Sequence, residues 1–262
     1  MTAAAAWGAL FSRDMKGIIR SRSQLYSSIF TPLLVLLFLG NGVNHGLQPS
    51  NLPAGDFTAY LAAGVVVMTC VFSATFSSAS YYRDRDSGLL RMLLASPHEP
   101  RTLLFGKSLA GIVIGLVQGM VVLCVAAIFV DFDWQHGVIP GLLIAAAATL
   151  LLNILLSGVA QTMASRIQTM QGFHLLMNLA LFPLLFFSGA FFPINDLPAW
   201  LEALALVNPL TYAVDALLLA TYASSDADFI GLPIDFAVLG TLAVAIYALG
   251  LARVPRLTWS GR

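Results

Sequence analysis

The chain has 262 residues, 58% of them hydrophobic and only 10% charged, with a formal net charge of +0. A soluble globular domain carries roughly 25% charged residues, so this chain cannot cover a water-facing surface, and membrane lipid must cover most of it. The balanced charge offers no electrostatic reason for a nucleic-acid partner.

Residues 1–23 read as an interfacial helix. Trp7, Leu10, Phe11, Met15 and Ile18 share one helical face, and Arg13, Lys16 and Arg20 lie opposite. That is the pattern of a helix lying flat on a membrane with its basic face toward lipid phosphates. The first apolar run follows at 25–43, and no small-x-small cleavage site follows it before His45, so it is expected to stay in the protein as a helix. Further runs cover 57–80, 109–130, 138–163 and 173–192, and a last one covers 234–252. Each is near the roughly 20 residues a spanning helix needs. Barrel-like alternation is absent, so only helices satisfy the backbone in lipid. Residues 210–223 are apolar too, but the stretch is short and carries Asp215. It belongs to a region, 193–233, expected to form a re-entrant helical hairpin rather than a span. Cys70 and Cys124 both lie in apolar runs and read as packing residues rather than a disulfide or a metal pair.

Charge sets the orientation. With six spans, Arg13, Lys16, Arg20 and Arg22 precede the first; Arg83, Arg85, Arg91, Arg101 and Lys107 fall between the second and third; Arg166 between the fourth and fifth; Arg253, Arg256 and Arg262 after the sixth. All thirteen basic residues therefore share one side. The other side has none but holds Asp56, Asp131, Asp133, Asp196, Glu202, Asp215, Asp226, Asp228 and Asp235. The positive-inside rule makes the basic side cytoplasmic, with both termini there, including the tail 253–262, and the hairpin extracellular.

Enzyme motifs fail. Gly106-Lys107-Ser108 resembles the end of a phosphate-binding loop, yet the required earlier glycine position is Arg101. His98-Glu99 lacks its second histidine, the position being Thr102, and Pro100 interrupts the helix. His45, His98, His136 and His174 are scattered and read as surface or packing residues. The spans' cores show no charged residue of the kind ion-coupled carriers use as relays. They do carry uncharged polar groups, among them Thr69, Ser73, Ser77, Gln118, Asn153 and Asn178, suited to helix–helix hydrogen bonds or to lining a passage for an amphipathic substrate. Gly111, Gly115 and Gly119 form a stripe for close helix packing, within the chain or in a dimer. The loop Tyr82-Arg83-Asp84-Arg85-Asp86-Ser87-Gly88-Leu89-Leu90-Arg91 mixes both charge signs with exposed leucines, which need something to bury them. It reads as a docking helix for a soluble partner, with an amphipathic helix resting on lipid as the alternative. Phe186, Phe187, Phe191 and Phe192 crowd the outer end of the fifth span, either as anchors or as a hydrophobic gate.

Two stretches then resemble the permease subunits of ABC-2 type exporters, the group that includes daunorubicin-resistance, polysaccharide and nodulation-factor export permeases. One is the loop 83–107, with Ser87-Gly88-Leu89-Leu90, Ala95-Ser96-Pro97 and a lysine opening the next span. The other runs through Phe187-Ser188-Gly189-Ala190-Phe191-Phe192-Pro193, Leu197-Pro198-Ala199-Trp200-Leu201 and Asn208-Pro209-Leu210-Thr211-Tyr212-Ala213-Val214-Asp215-Ala216. One departure is that Leu217 and Leu218 stand where such permeases often carry an arginine. The resemblance implies an all-α integral membrane protein forming one transmembrane domain over 1–262, in a bacterial plasma membrane. It implies no cofactor in this chain, ATP and magnesium being held by a separate ATPase subunit. It also implies pairing with a second permease, a homodimer being the expected form. The ATPase would couple through Tyr82, Arg83, Asp84, Arg85, Asp86, Gly88, Leu89, Leu90 and Arg91. Thr69, Ser73, Ser77, Asn178, Phe186, Phe187 and Phe191 would line the passage or its gate. An ion-coupled carrier and a non-transporting scaffold are the alternative readings.

Overall fold

A computed structural model describes residues 3–46, 57–89, 92, 100–132, 134, 137–164, 166–194, 198–221 and 230–253, and among them every regular element is helical. In chain order these are α1 (Ala3–Arg20), α2 (Arg22–Val35), one wider π-type turn (Leu36–Gly40) leading into α3 (Asn41–Gly46), α4 (Phe57–Ser77) and α5 (Ala79–Asp86). Then come α6 (Pro100–Phe129), α7 (Val138–Ala164), α8 (Met170–Phe186), α9 (Ala199–Val207), α10 (Pro209–Thr221) and α11 (Leu232–Arg253). Among the described residues, five stretches are long and apolar enough to cross a bilayer: Arg22–Val43, Phe57–Asp86, Phe105–Phe129, Val138–Ala164 and Leu232–Gly250. α8 has 17 residues and falls short by itself, but the turn at 187–192 prolongs it.

Contacts sort the elements into two ends. At the basic end, Tyr82 reaches the carbonyl of Ile167, and Ser108 on α6 hydrogen-bonds Tyr247 on α11. At the opposite, acidic end, Tyr60 donates to the carbonyl of Gly189, and the start of α7 meets the last turn of α10. α2, α4, α6, α7, α8 and α11 therefore run alternately between the two ends, as the six spans of the sequence reading require.

α4 is the axle. Every residue from 57 to 75 except Phe72 is buried, so this helix touches protein on all sides. Small residues make that possible: a Cβ on Gly64 would sit 2.0 Å from the carbonyl oxygen of Ala190. The glycine stripe on α6 is filled from within the chain. Gly111 faces Ser77, Gly115 faces the Asn153 amide and Gly119 faces Thr149 and Cys70. α2 and the π-type turn after it instead point Tyr26, Phe30, Leu34 and Phe38 outward at four-residue spacing, the stripe of a helix solvated by lipid.

α9 and α10 form a corner with their axes 89° apart. Asn208 makes it: its side-chain oxygen accepts the Leu210 N–H at 3.0 Å, and its amide donates to the carbonyl of Leu184 on α8. Pro209 suits the first position of α10 because no hydrogen bond is needed from its nitrogen there. Thr211 and Tyr212 then donate to the carbonyls of Ala205 and Leu206, each at 2.7 Å, and satisfy the frayed end of α9. The Asn-Pro-Leu-Thr-Tyr run is thus a corner-forming sequence, and both ends of α10 stay at the acidic end of the fold.

The backbone contact at Gly64 yields a direct check. Gly64→Ala forces α4 away from the 187–192 turn and should lower stability by about 1–3 kcal/mol, as overpacking does. Gly240→Ala, at a position with open space around it, should not. Thermal unfolding of both purified variants in one detergent measures the difference.

Candidate functional site

The basic end holds a buried cluster of charges from three elements. Asp14 on α1 continues the stripe of Leu10 and Ile18, so a helix that packs its apolar face on α6 carries a carboxylate inward with it. Lys107, next to the buried Gly106 on α6, meets Asp14 at 2.9 Å and pairs with Asp84 on α5. The Lys107–Asp14 contact is an ion pair by distance, while its angle falls short of a hydrogen bond. Arg13 closes the ring, hydrogen-bonding Asp14 at 2.7 Å and also reaching Asp84. Burial works against the Arg13 charge, but the two carboxylates outweigh it and raise its pKa. Two cations and two anions leave the cluster neutral, the condition on which such charges can stay dehydrated. Close packing brings the elements to this range: Gly106 abuts the Trp7 backbone, and the Trp7 and Phe105 rings meet edge to face at 6.5 Å.

Asp84 was a candidate for partner contact in the sequence; the structure turns it inward to Arg13 and Lys107. Tyr82 is also turned in. It is 1% exposed, donates to the Ile167 carbonyl at 3.4 Å and packs on Phe173, which fastens α5 to the loop before α8. Arg85 braces the same carbonyl at 3.3 Å while remaining exposed. Gly88 ends this segment with φ +74, a left-handed value that glycine takes without a Cβ penalty. What faces outward is Arg83, Arg85, Asp86 and Met92, with Leu89 half-buried. Leu90 and Arg91 lie outside the described residues. Lys16 and Arg20 keep the exposed face of α1, whereas Arg13, expected beside them, is drawn into the cluster.

The polar residues of α4 are internal. Thr69 is fully buried and donates to the Val65 carbonyl at 2.8 Å, and Ser77 donates to that of Ala74 at 3.2 Å. Ser73 lines a small void of about 10 Å³ between α2, α4 and α6, beside Ser28 and Gln118. The space suits one water molecule, not a substrate. Asn178 behaves differently: it is exposed on α8 together with Leu175, Leu176 and Leu179. At the end of that helix Phe186 stacks on Phe191 with centroids 5.0 Å apart; Phe191 is buried, and Phe186, Phe187 and Phe192 are open.

The pattern matches known proteins. The profile of the ABC-2 type transporter family covers residues 5–222. The chain belongs to that family. Among named relatives, a putative transport permease, ycf38, of Pyropia yezoensis is 30% identical over 79% of this chain and 70% of its own length. Nodulation protein J of Rhizobium meliloti is 24% identical over 74% of this chain and 72% of its own. The inner membrane transport permease YadH of Escherichia coli K12 is 23% identical over 88% and 87%. This ABC-2 chain is therefore a multi-pass membrane transport permease subunit. The family match spans α1 to α10 and so takes in the charge cluster, the exposed edge of α5 and the Asn208 corner together.

Sequence reasoning missed Asp14. The available signal was a carboxylate four residues from Leu10 and four from Ile18, within an otherwise apolar stripe. Removing its partner is the sharpest perturbation. Lys107→Met leaves two buried carboxylates facing one arginine and should cost about 3 kcal/mol. Lys16→Met, on the exposed face of the same region, should stay within about 0.5 kcal/mol of the parent. Chemical or thermal unfolding in matched detergent tests the contrast.

Proposed function

We propose that this permease is the membrane half of an ATP-driven exporter. It moves an amphipathic substrate (drug-like, lipid or lipid-linked glycan) out of the cytoplasm across a bacterial plasma membrane. The basic end faces the cytoplasm, in line with the positive-inside rule, which places the α9–α10 corner outside. Separate ATPase subunits dock on the edge formed by Arg83, Arg85, Asp86, Leu89 and Met92. ATP and magnesium belong to those subunits.

The observation that carries this reading is the cluster of Arg13, Asp14, Asp84 and Lys107. It joins the α5 segment rigidly to α1 and α6, so a push on the exposed edge of α5 is delivered to a spanning helix instead of being absorbed by a loose loop. An energy source outside the chain also fits the lack of charged relays at the middle of the spans.

A second copy supplies the other half. The exposed face of α8 sets Asn178 among leucines, and an amide is costly against lipid tails. A facing copy of α8, with a polar passage between, accommodates it. Phe186, Phe187 and Phe192 at the outer end of that face close the passage by excluding water. α4 does not share in the lining, since its polar groups are sealed within the protomer.

Reconstitution in liposomes with the cognate ATPase tests the reading. ATP should drive substrate movement. Arg83→Glu with Met92→Asp should weaken ATPase association about tenfold, roughly 1.4 kcal/mol, while the permease stays folded. Phe186→Ala with Phe187→Ala should raise substrate-free ATP turnover and lower net export. Full-rate transport driven by an ion gradient without ATP would favour the ion-coupled carrier instead.

A further inference from the structure

Three buried side chains from three spans meet around one small void that the transport reading leaves unused. Ser28 on α2, Ser73 on α4 and Gln118 on α6 are 1%, 3% and 5% exposed. Ser73 and Gln118 stand near the midpoints of their spans, where a bilayer offers no water to a polar group. Gln118 gives an amide N–H to the Ser28 hydroxyl at 2.9 Å, and that hydroxyl donates to the Leu25 carbonyl at 3.0 Å. The Oε1 of Gln118 and the Oγ of Ser73 have no partner among the described residues.

Ser73 departs from its neighbours. On the same helix Thr69, Thr75 and Ser77 each turn the hydroxyl back to a carbonyl of α4, at 2.8, 2.9 and 3.2 Å. That bond is open to any serine or threonine in a helix, and Ser73 does not make it. Nor does the orientation of the Gln118 amide account for its free oxygen. Turned over, the amide would accept from Ser28 through Oε1 and strand its Nε2 instead. Either way, two dehydrated polar groups lack a bond, and each costs free energy until it has one.

The void shows what they share. It measures about 10 Å³, near the least that admits one water molecule. The side chains of Ile18, Leu25, Phe76 and Ile114 on its walls offer no hydrogen bond. No carboxylate borders it, so its occupant is neutral and not a cation. Water both donates and accepts, so one molecule matches the Gln118 oxygen and the Ser73 hydroxyl together.

We propose that this void is a hydration site inside the membrane, where one water molecule bonded to Ser73 and Gln118 joins α4 and α6 to the Ser28 contact on α2. The joint lies where α2 is weakest. Pro32, one turn after Ser28, has no N–H to give the Ser28 carbonyl, so the helix lacks a bond of its own there. The water-bridged contact braces that turn from the side, and a proline is tolerated in the first span because of it.

The test uses the full-length permease in lipid nanodiscs. An electron cryo-microscopy map of the wild type that resolves ordered water elsewhere in the protein should show a peak within about 3.2 Å of both Ser73 Oγ and Gln118 Oε1. An empty void in such a map overturns the proposal, whether or not any variant folds. Unfolding temperature gives the second readout. Ser73→Ala should lower it by about 2–4 °C, since the water and Gln118 lose a partner. A dry void predicts the opposite sign, because the change would delete an unpaired hydroxyl and insert a better helix former. An unchanged or raised melting temperature therefore overturns the proposal. In a Gln118→Leu background Ser73→Ala should no longer lower it, and an equal loss in both backgrounds also overturns the water bridge.

Discussion

A lysine and two aspartates held away from water can persist only in one another's company. At the basic end of this fold Lys107, Asp14 and Asp84 meet that requirement together with Arg13, and most of the local architecture follows from it. α1 must lie across the start of α6, since only there does Asp14 find Lys107. α5 must turn one face inward, since only Asp84 completes the set. Removing any one member strands a charge, whereas each apolar contact nearby could be trimmed at a smaller cost. The cluster therefore acts as a fixed joint among three helices, and the exposed edge of α5 is the outer surface of that joint.

The acidic end solves the opposite problem. The sequence places its lysines and arginines on one side of the six expected spans and most of its acids on the other. Among the described contacts there, the backbone N–H groups of Ile230 and Gly231 hold the Asp215 carboxylate. One end is thus tied by side-chain ion pairs, and at the other a carboxylate is held by backbone N–H groups. Between them α4 is packed on all sides, with backbone-close contacts at Gly64 and at its glycine-faced neighbour α6.

The spans were legible because their signal is a sum over some twenty residues and tolerates local exceptions. The alternate course of α2, α4, α6, α7, α8 and α11 follows the apolar runs closely. α8 stops at Phe186, short of the end of its run, because the Ser188-Gly189 turn, with Gly189 at φ +79, breaks the helix. The Asn208-Pro209 corner was legible as a motif, but its partner, the Leu184 carbonyl, was not. Side-chain direction was the weak point. Tyr82 and Asp84 carry the chemistry expected of an exposed docking helix, yet tertiary contacts to Ile167 and Lys107 turn them inward. Asp215 and Asp235 counted among the outer acids by position alone; their burial depends on the turn at Gly231, which no spacing rule encodes. Thr69 and Ser73 read equally well as passage or packing residues in the sequence, and the packing around α4 buries both within the protomer.

The account stands on the claim that the basic-end charges are a coupled set and not four neighbours by coincidence. A double-mutant cycle on Asp14→Leu and Lys107→Met measures this directly through unfolding free energies in one detergent. A coupled set predicts that the double variant, with both charges replaced by apolar groups, loses at least about 1 kcal/mol less than the sum of the two single losses. Additive losses, agreeing within about 0.5 kcal/mol, would contradict it.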